Sequence, residues 1–129
     1  MSGYFPGIKR VPVSGGTPSV YAGNEDSVEY LDGPLLNSTW YECVALAFDY
    51  GNTVLGVVDR SVNAVRFIVN GSVSTFGIYN DQGSVTNYFA NGDSSTSKFS
   101  TPNDIIASTT TANVFYVADM GIYFSNQII

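Results

Sequence analysis

Residues 32–59 read DGPLLNSTWYECVALAFDYGNTVLGVVD, and residues 91–119 read NGDSSTSKFSTPNDIIASTTTANVFYVAD. Set one above the other, they carry the same punctuation. Gly33 precedes Trp40 by seven residues, and Gly92 precedes Phe99 by seven. Six further on come Leu46 and Ile105, each inside a buried-looking run, and Val44, Leu46, Phe48, Ile105, Val117 and the matched pair Trp40 and Phe99 are the expected core. Val57-Val58-Asp59 and Val117-Ala118-Asp119 then close the two segments, with one extra residue in the loop at 108–113. A fixed internal period is the signature of a repeat architecture, and it outweighs any single motif.

The match extends upstream. Ser19-Val20-Tyr21-Ala22-Gly23 is answered by Val73-Ser74-Thr75-Phe76-Gly77, and Ile8-Lys9-Arg10-Val11 by Ala64-Val65-Arg66-Phe67. Apolar residues come in short alternating or continuous runs bounded by Gly, Asn-Gly, Asp-Gly and Pro, and no run has helical spacing. The predicted strands are 8–13, 19–22, 44–49, 53–58, 64–69, 73–76, 104–107, 114–118 and 122–128. Asn70-Gly71 between two such runs predicts a tight hairpin, because both residues tolerate positive φ. About four strands per repeat fits a propeller blade, whose sheet buries its faces against its neighbours. The expected fold is therefore all-β: two four-stranded antiparallel propeller-type blades in one domain over residues 1–129. Repeat one covers about 19–71 and repeat two about 72–129, after an N-terminal arm at 1–18.

The order of these motifs resembles an NHL-type repeat. Ala22-Gly23, Asp32-Gly33, Val57-Val58-Asp59, Asn63-Ala64-Val65-Arg66 and Asn70-Gly71 supply the first copy, and Asn91-Gly92, Phe99, Pro102 and Tyr116-Val117-Ala118-Asp119 the second. The copies also depart from the pattern: Phe76-Gly77 replaces Ala-Gly, Glu42-Cys43 stands where Pro is expected, and no Arg follows Asp119. The resemblance implies a propeller. Two blades cannot close a ring by themselves, since propellers have typically four to eight. The chain opens with outer strands that lack inner ones and continues past Asp104 with inner strands that lack an outer one. Ends of this kind fit one another, so the expected partners are further copies of the chain, as in a cyclic oligomer, or a larger host protein. Ile8, Val11 and Val13 are the expected assembly residues on the arm.

Composition narrows the function. Five basic residues face eleven acidic ones, a net charge of −6, and only 12% of residues are charged. Nucleic-acid binding needs a basic stripe to displace counterions, and Lys9-Arg10 is the only adjacent basic pair. An anionic membrane would repel the chain, and no segment approaches the ~20 apolar residues of a spanning helix. The start, MSGYFPGIKRV, lacks the apolar stretch of a secretory signal, although the Tyr- and Ser/Thr-rich composition suits an extracellular or virion-surface protein. There is no His, which removes the commonest general base and metal ligand together. Single Cys43 lies in an apolar run and reads as a small hydrophobe.

Four aspartates, Asp49, Asp59, Asp104 and Asp119, sit at the ends of predicted strands. A pair of carboxylates can serve as acid and base, as in glycosidases, but a residue recurring in every repeat ties a turn by accepting backbone N–H bonds. No catalytic residue, cofactor or metal is expected. Asn24-Glu25-Asp26, Glu29 and Asp32 form the densest acidic loop, without the spacing of a calcium-binding loop. The best contact candidates are aromatics near loops: Tyr30 and Tyr41, with Tyr79, Tyr88 and Phe89 in a loop five residues longer than its counterpart after Gly23. The sequence thus points to a non-enzymatic structural or assembly protein working through protein–protein contacts, such as a component of a virus particle. The alternative is a propeller-type binding module that recognises a protein or glycan through its loops.

Overall fold

The computed structural model describes residues 6–27, 29–78 and 91–121. Among these the protein is all-β, its only helical element a 3-10 turn at Arg60–Val62. The strands are β1 (Ile8–Arg10), β2 (Ser19–Ala22), β3 (Gly33–Pro34), β4 (Cys43–Phe48), β5 (Val54–Asp59), β6 (Ala64–Val69), β7 (Ser72–Phe76), β8 (Pro102–Ala107) and β9 (Phe115–Asp119). The expected strand at 122–128 lies outside the described residues.

All pairing is antiparallel. The central sheet runs β4-β5-β6-β7, with the two-residue β3 added at the β7 edge, and β1–β2 and β8–β9 form two-stranded sheets of their own. This four-stranded sheet between two half-sheets is consistent with an incomplete propeller. Local chemistry sets the corners. Asn70 and Gly71 take φ of 50° and 75°, joining β6 to β7 as the Asn-Gly pair predicts.

The pleat divides the central sheet into two faces, because residues paired across an antiparallel ladder point the same way. On the near face stand Leu55, Val57, Ile68 and Val73; Ile8, Ala22 and Trp40 pack with them, and Tyr21, Leu35 and Cys43 lean against the cluster. On the far face stand Val58 and Val65, joined by Ile105 of β8, with Phe115 and Val117 of β9 alongside. Val57 and Val58 are wholly buried, and each such side chain contributes about 1.5–3 kcal/mol. β8 lies against β4 and β5. A Cβ on Gly56 would stand 2.8 Å from Ile105 Cδ1, so a larger residue there requires the Ile105 side chain to shift.

Three expectations about the core and arm need correction. Leu46 and Phe48 are 52% and 51% exposed and Val44 is also exposed, although their apolar run reads as core. They belong to the near face at its inner edge, Leu46 paired with Val57 and Phe48 with Leu55, and no described strand covers them. Val117 and Phe99 are half-buried rather than buried, whereas Trp40 and Ile105 are buried as expected. On the arm, Ile8 is a core residue at 6% exposure, and β1 ends at Arg10, leaving Val11 and Val13 on the surface beyond it.

Candidate interaction site

The repeat recurs in hydrogen bonds. Asn37 and Ser38 N–H both donate to Pro34 O; one repeat later Thr96 and Ser97 N–H donate to Asp93 O. Gly23 N–H donates to Leu35 O as Gly77 N–H does to Ser94 O. Asp59 accepts from Tyr41 N–H at 3.1 Å and Glu42 N–H at 2.7 Å, and Asp119 accepts from Ser100 N–H at 2.8 Å and Thr101 N–H at 2.6 Å. Each aspartate ties the approach to an inner strand.

Around these ties the copies diverge. In the first, Arg66 is wholly buried. Its Nη2 donates to Asp32 Oδ1 at 2.8 Å and Leu31 O at 2.6 Å, and its Nη1 to Thr39 O and, at 3.4 Å, to Asp59 Oδ2. The guanidinium lies between the rings of Tyr30 and Trp40, 4.4 and 4.1 Å from their centroids, an arrangement that stabilises a desolvated cation. Tyr41 stacks on Tyr30 at 6.3 Å. Both tyrosines expected to meet a partner are therefore half-buried props of this cluster, and burial pushes the Tyr30 hydroxyl up to about 12 against the opposing pull of Arg66. Burial also raises Asp59, opposed by its backbone donors and Arg66. Cys43 is pushed up to about 12, first by burial and then by Asp59, and so stays a protonated thiol at neutral pH. Asp32, in the acidic loop, is taken up by Arg66 and by Thr75 N–H at 2.9 Å. Among the described residues no three His, Cys, Asp or Glu come together to hold a metal ion.

In the second copy Asp119 has no arginine within the described residues and is exposed, where Asp59 is wholly buried. Phe99 replaces Trp40. The Trp40 Nε1–H that donates to Ser38 Oγ at 3.0 Å thus has no equivalent, and Ser97 Oγ, the counterpart of Ser38 Oγ, is buried without a hydrogen-bond partner among the described residues.

What remains open is apolar. Between the outer part of the far face and β9 runs a groove of about 760 Å³, lined by Val65, Phe67, Val69 and Phe76 on the sheet and by Val114, Phe115 and Val117 opposite. Phe67 meets Phe115 at 5.2 Å. Two further patches flank it: Leu46 and Phe48 on the near face, and Ile106 and Tyr116, 60% and 61% exposed, on the outward side of β8–β9. Sequence reasoning missed all of these. The signal was present in apolar residues at both parities along β4 and β9, which mark strands meant to be covered on both faces. Tyr79, Tyr88 and Phe89 lie outside the described residues.

Compared with known proteins, the chain matches no family model and no curated protein. Its structure is similar to that of a structural genomics protein of unknown function from Bacteroides thetaiotaomicron, with a TM-score of 0.72 and 16% identity. The match covers 89% of this chain and 28% of that one, so the chain spans under a third of its neighbour's length. At this identity the likeness concerns the fold alone.

Proposed function

We propose that the chain is a non-enzymatic assembly protein of NHL-like propeller blades, acting through protein–protein contacts as a component of a virus particle or other large assembly. The observation that carries this reading is the central sheet, each of whose faces is only half covered among the described residues. Apolar side chains at Leu46, Phe48, Phe67 and Val69 line what is left open. Exposed apolar patches of this kind mark a site for another protein. The unpaired edges of short antiparallel strands favour the same kind of partner through backbone hydrogen bonds. The aspartates that an enzyme could use are held by backbone N–H groups at the turns.

The test is the mass of the particle that contains the chain. Recovered from its natural source by gentle lysis and sized by light scattering, the chain is expected in a particle well above 13.8 kDa. Recovery as a single 13.8 kDa chain would refute the reading.

A further inference from the structure

We infer that Asp49 is a clasp between the central sheet and β8–β9, and that adding a proton to its carboxylate lets the two sheets part at that end. The two oxygens of the side chain have different partners. Oδ1 serves its own turn, accepting from Thr53 N–H at 2.8 Å and Val54 N–H at 2.9 Å. Oδ2 reaches out of the sheet and accepts from Asn113 N–H at 3.2 Å, sixty-four residues away in the loop between β8 and β9. Asp49 is 2% exposed, so water competes little for these bonds.

The second repeat separates what a turn needs from what the clasp adds. Ser108 stands where Asp49 does, for each donates its own N–H across the base of its turn, to Val114 O at 2.8 Å and to Val54 O at 2.9 Å. Ser108 Oγ accepts from Thr110 N–H at 3.2 Å and Thr111 N–H at 3.0 Å, both in its own loop. A hydroxyl is therefore enough to tie a turn of this kind. The second oxygen of a carboxylate is more than the turn requires, and here it holds another sheet.

The place of this bond gives it leverage. Ile105, Phe115 and Val117 of β8–β9 share one apolar cluster with Ala45, Ala47 and Val58 of the central sheet. At one end of that contact Arg60 Nη1 donates to Asn103 Oδ1 at 3.0 Å, with Nη2 held by Glu42 Oε1 at 2.6 Å. The bond from Asn113 to Asp49 is the polar tie at the opposite end. Val54, Asn113 and Val114 also line the groove there, so the clasp sets the width of its mouth.

Asp49 makes this end responsive to pH. The turns that meet here, 50–53, 70–71 and 108–114, carry no Lys, Arg, Asp or Glu, and Tyr50 is their only titratable side chain. Asp59, Asp104 and Asp119 stand at or near the other ends of their strands. Val54 N–H first, then Thr53 and Asn113 N–H, hold the Asp49 carboxylate below its ordinary 3.8 against the opposing effect of burial. A carboxylate held low contributes stability that is present above its unfolded value and lost as pH falls through its folded one. Neutral pH keeps the clasp shut and acid opens it. Glu42, held low by Arg60 and then Ser61, weakens the other tie in the same direction.

The test reads the junction in the full chain by NMR, from pH 7 to about pH 3, with amide exchange corrected for its intrinsic pH dependence. In wild type, protection at Asn113 is expected to fall about tenfold or more in acid, the effect of losing a hydrogen bond to a charged group. The contacts of the Ile105 methyl with Gly56 and of Phe67 with Phe115 should weaken together with it, while pairing inside the central sheet persists. Asp49→Asn is expected to show the weakened contacts already at pH 7 and to lose the response to acid. Asp49→Ser, patterned on Ser108, should keep protection at Thr53 and Val54, lose it at Asn113 and loosen the contact between Ile105 and Gly56. Glu42→Gln, at the more exposed tie, should move these contacts less than either. Wild-type sheets that stay in contact throughout the acid titration overturn the inference without any variant. So does an acid response that survives in Asp49→Asn. An Asp49→Ser protein whose Ile105 stays against Gly56 at pH 7 overturns it as well, for Asp49 then ties its own turn and nothing more.

Discussion

Leu46 and Ile105 occupy the same place in successive repeats, on inner strands of the same register, each two or three residues after a shifted pair in the ladder. Ile105 is 3% exposed and Leu46 is 52% exposed. Nothing in their own strands accounts for this. Ile105 faces the central sheet, whereas Leu46 stands on a side of that sheet that no described strand covers. Asp59 and Asp119 teach the same lesson, making the same backbone bonds while only the first is sealed in by an arginine. In a solenoid-like fold, burial belongs to the interface between repeats and not to the repeat.

The largest expected effect is at the buried cation. Arg66→Ala leaves Asp59 and Asp32 without their partner and should cost about 3–5 kcal/mol, because an uncompensated buried charge remains. Arg10→Ala, at an exposed strand end, should cost far less, and chemical denaturation of both proteins measures the difference. Next, Ile105→Ala should cost about 2–5 kcal/mol, against under about 0.5 kcal/mol for Leu46→Ala in the dissociated chain. Equal costs at the two positions would break the comparison.

A smaller effect runs in the stabilising direction. Phe99→Trp supplies an indole N–H at the place from which Trp40 reaches Ser38, and partnering Ser97 Oγ should gain about 0.5–1.5 kcal/mol in denaturation midpoint analysis. The smallest effect is on acid stability. Asp49 accepts from Val54 N–H at 2.9 Å, Thr53 N–H at 2.8 Å and Asn113 N–H at 3.2 Å, and these bonds hold it below its ordinary 3.8. A depressed carboxylate contributes stability that is present above the unfolded value and lost as pH falls through the folded one. Ser108, which holds the same place in the second copy and accepts from Thr110 and Thr111 N–H, does not titrate. Below pH 4, amide exchange should therefore accelerate at Thr53 and Val54 more than at Thr110 and Thr111, and Asp49→Asn should abolish the contrast.

The strands were largely legible because their signals are local: alternation, Asn-Gly at the β6–β7 turn, and the recurring Asp at the end of β5 and β9. β3 was missed, since a Gly-Pro pair carries no strand preference and is extended only because β7 offers it an edge. The arm was read too long: Pro12 and the turn after it end β1 at Arg10. The inner strand β4 was read correctly as a strand and wrongly as core. Its apolar residues register the cover that the strand calls for, whether or not the same chain provides it. Tyr30 and Tyr41 were chosen for residue type and loop position, and neither reveals that a cation thirty-odd residues away in sequence would fold between Tyr30 and Trp40.

The glycine under Ile105 has a consequence for the spacing of the sheets. Gly56, Ala45 and Ala47 let β8–β9 settle close against the central sheet, with Phe115 Cε1 only 3.1 Å from where a Cβ would stand. One repeat later Ala47 becomes Ile106 and Gly56 becomes Tyr116. The angle between two neighbouring sheets follows the bulk at their narrow end, so Gly56→Ala would push β8–β9 outward and open that angle.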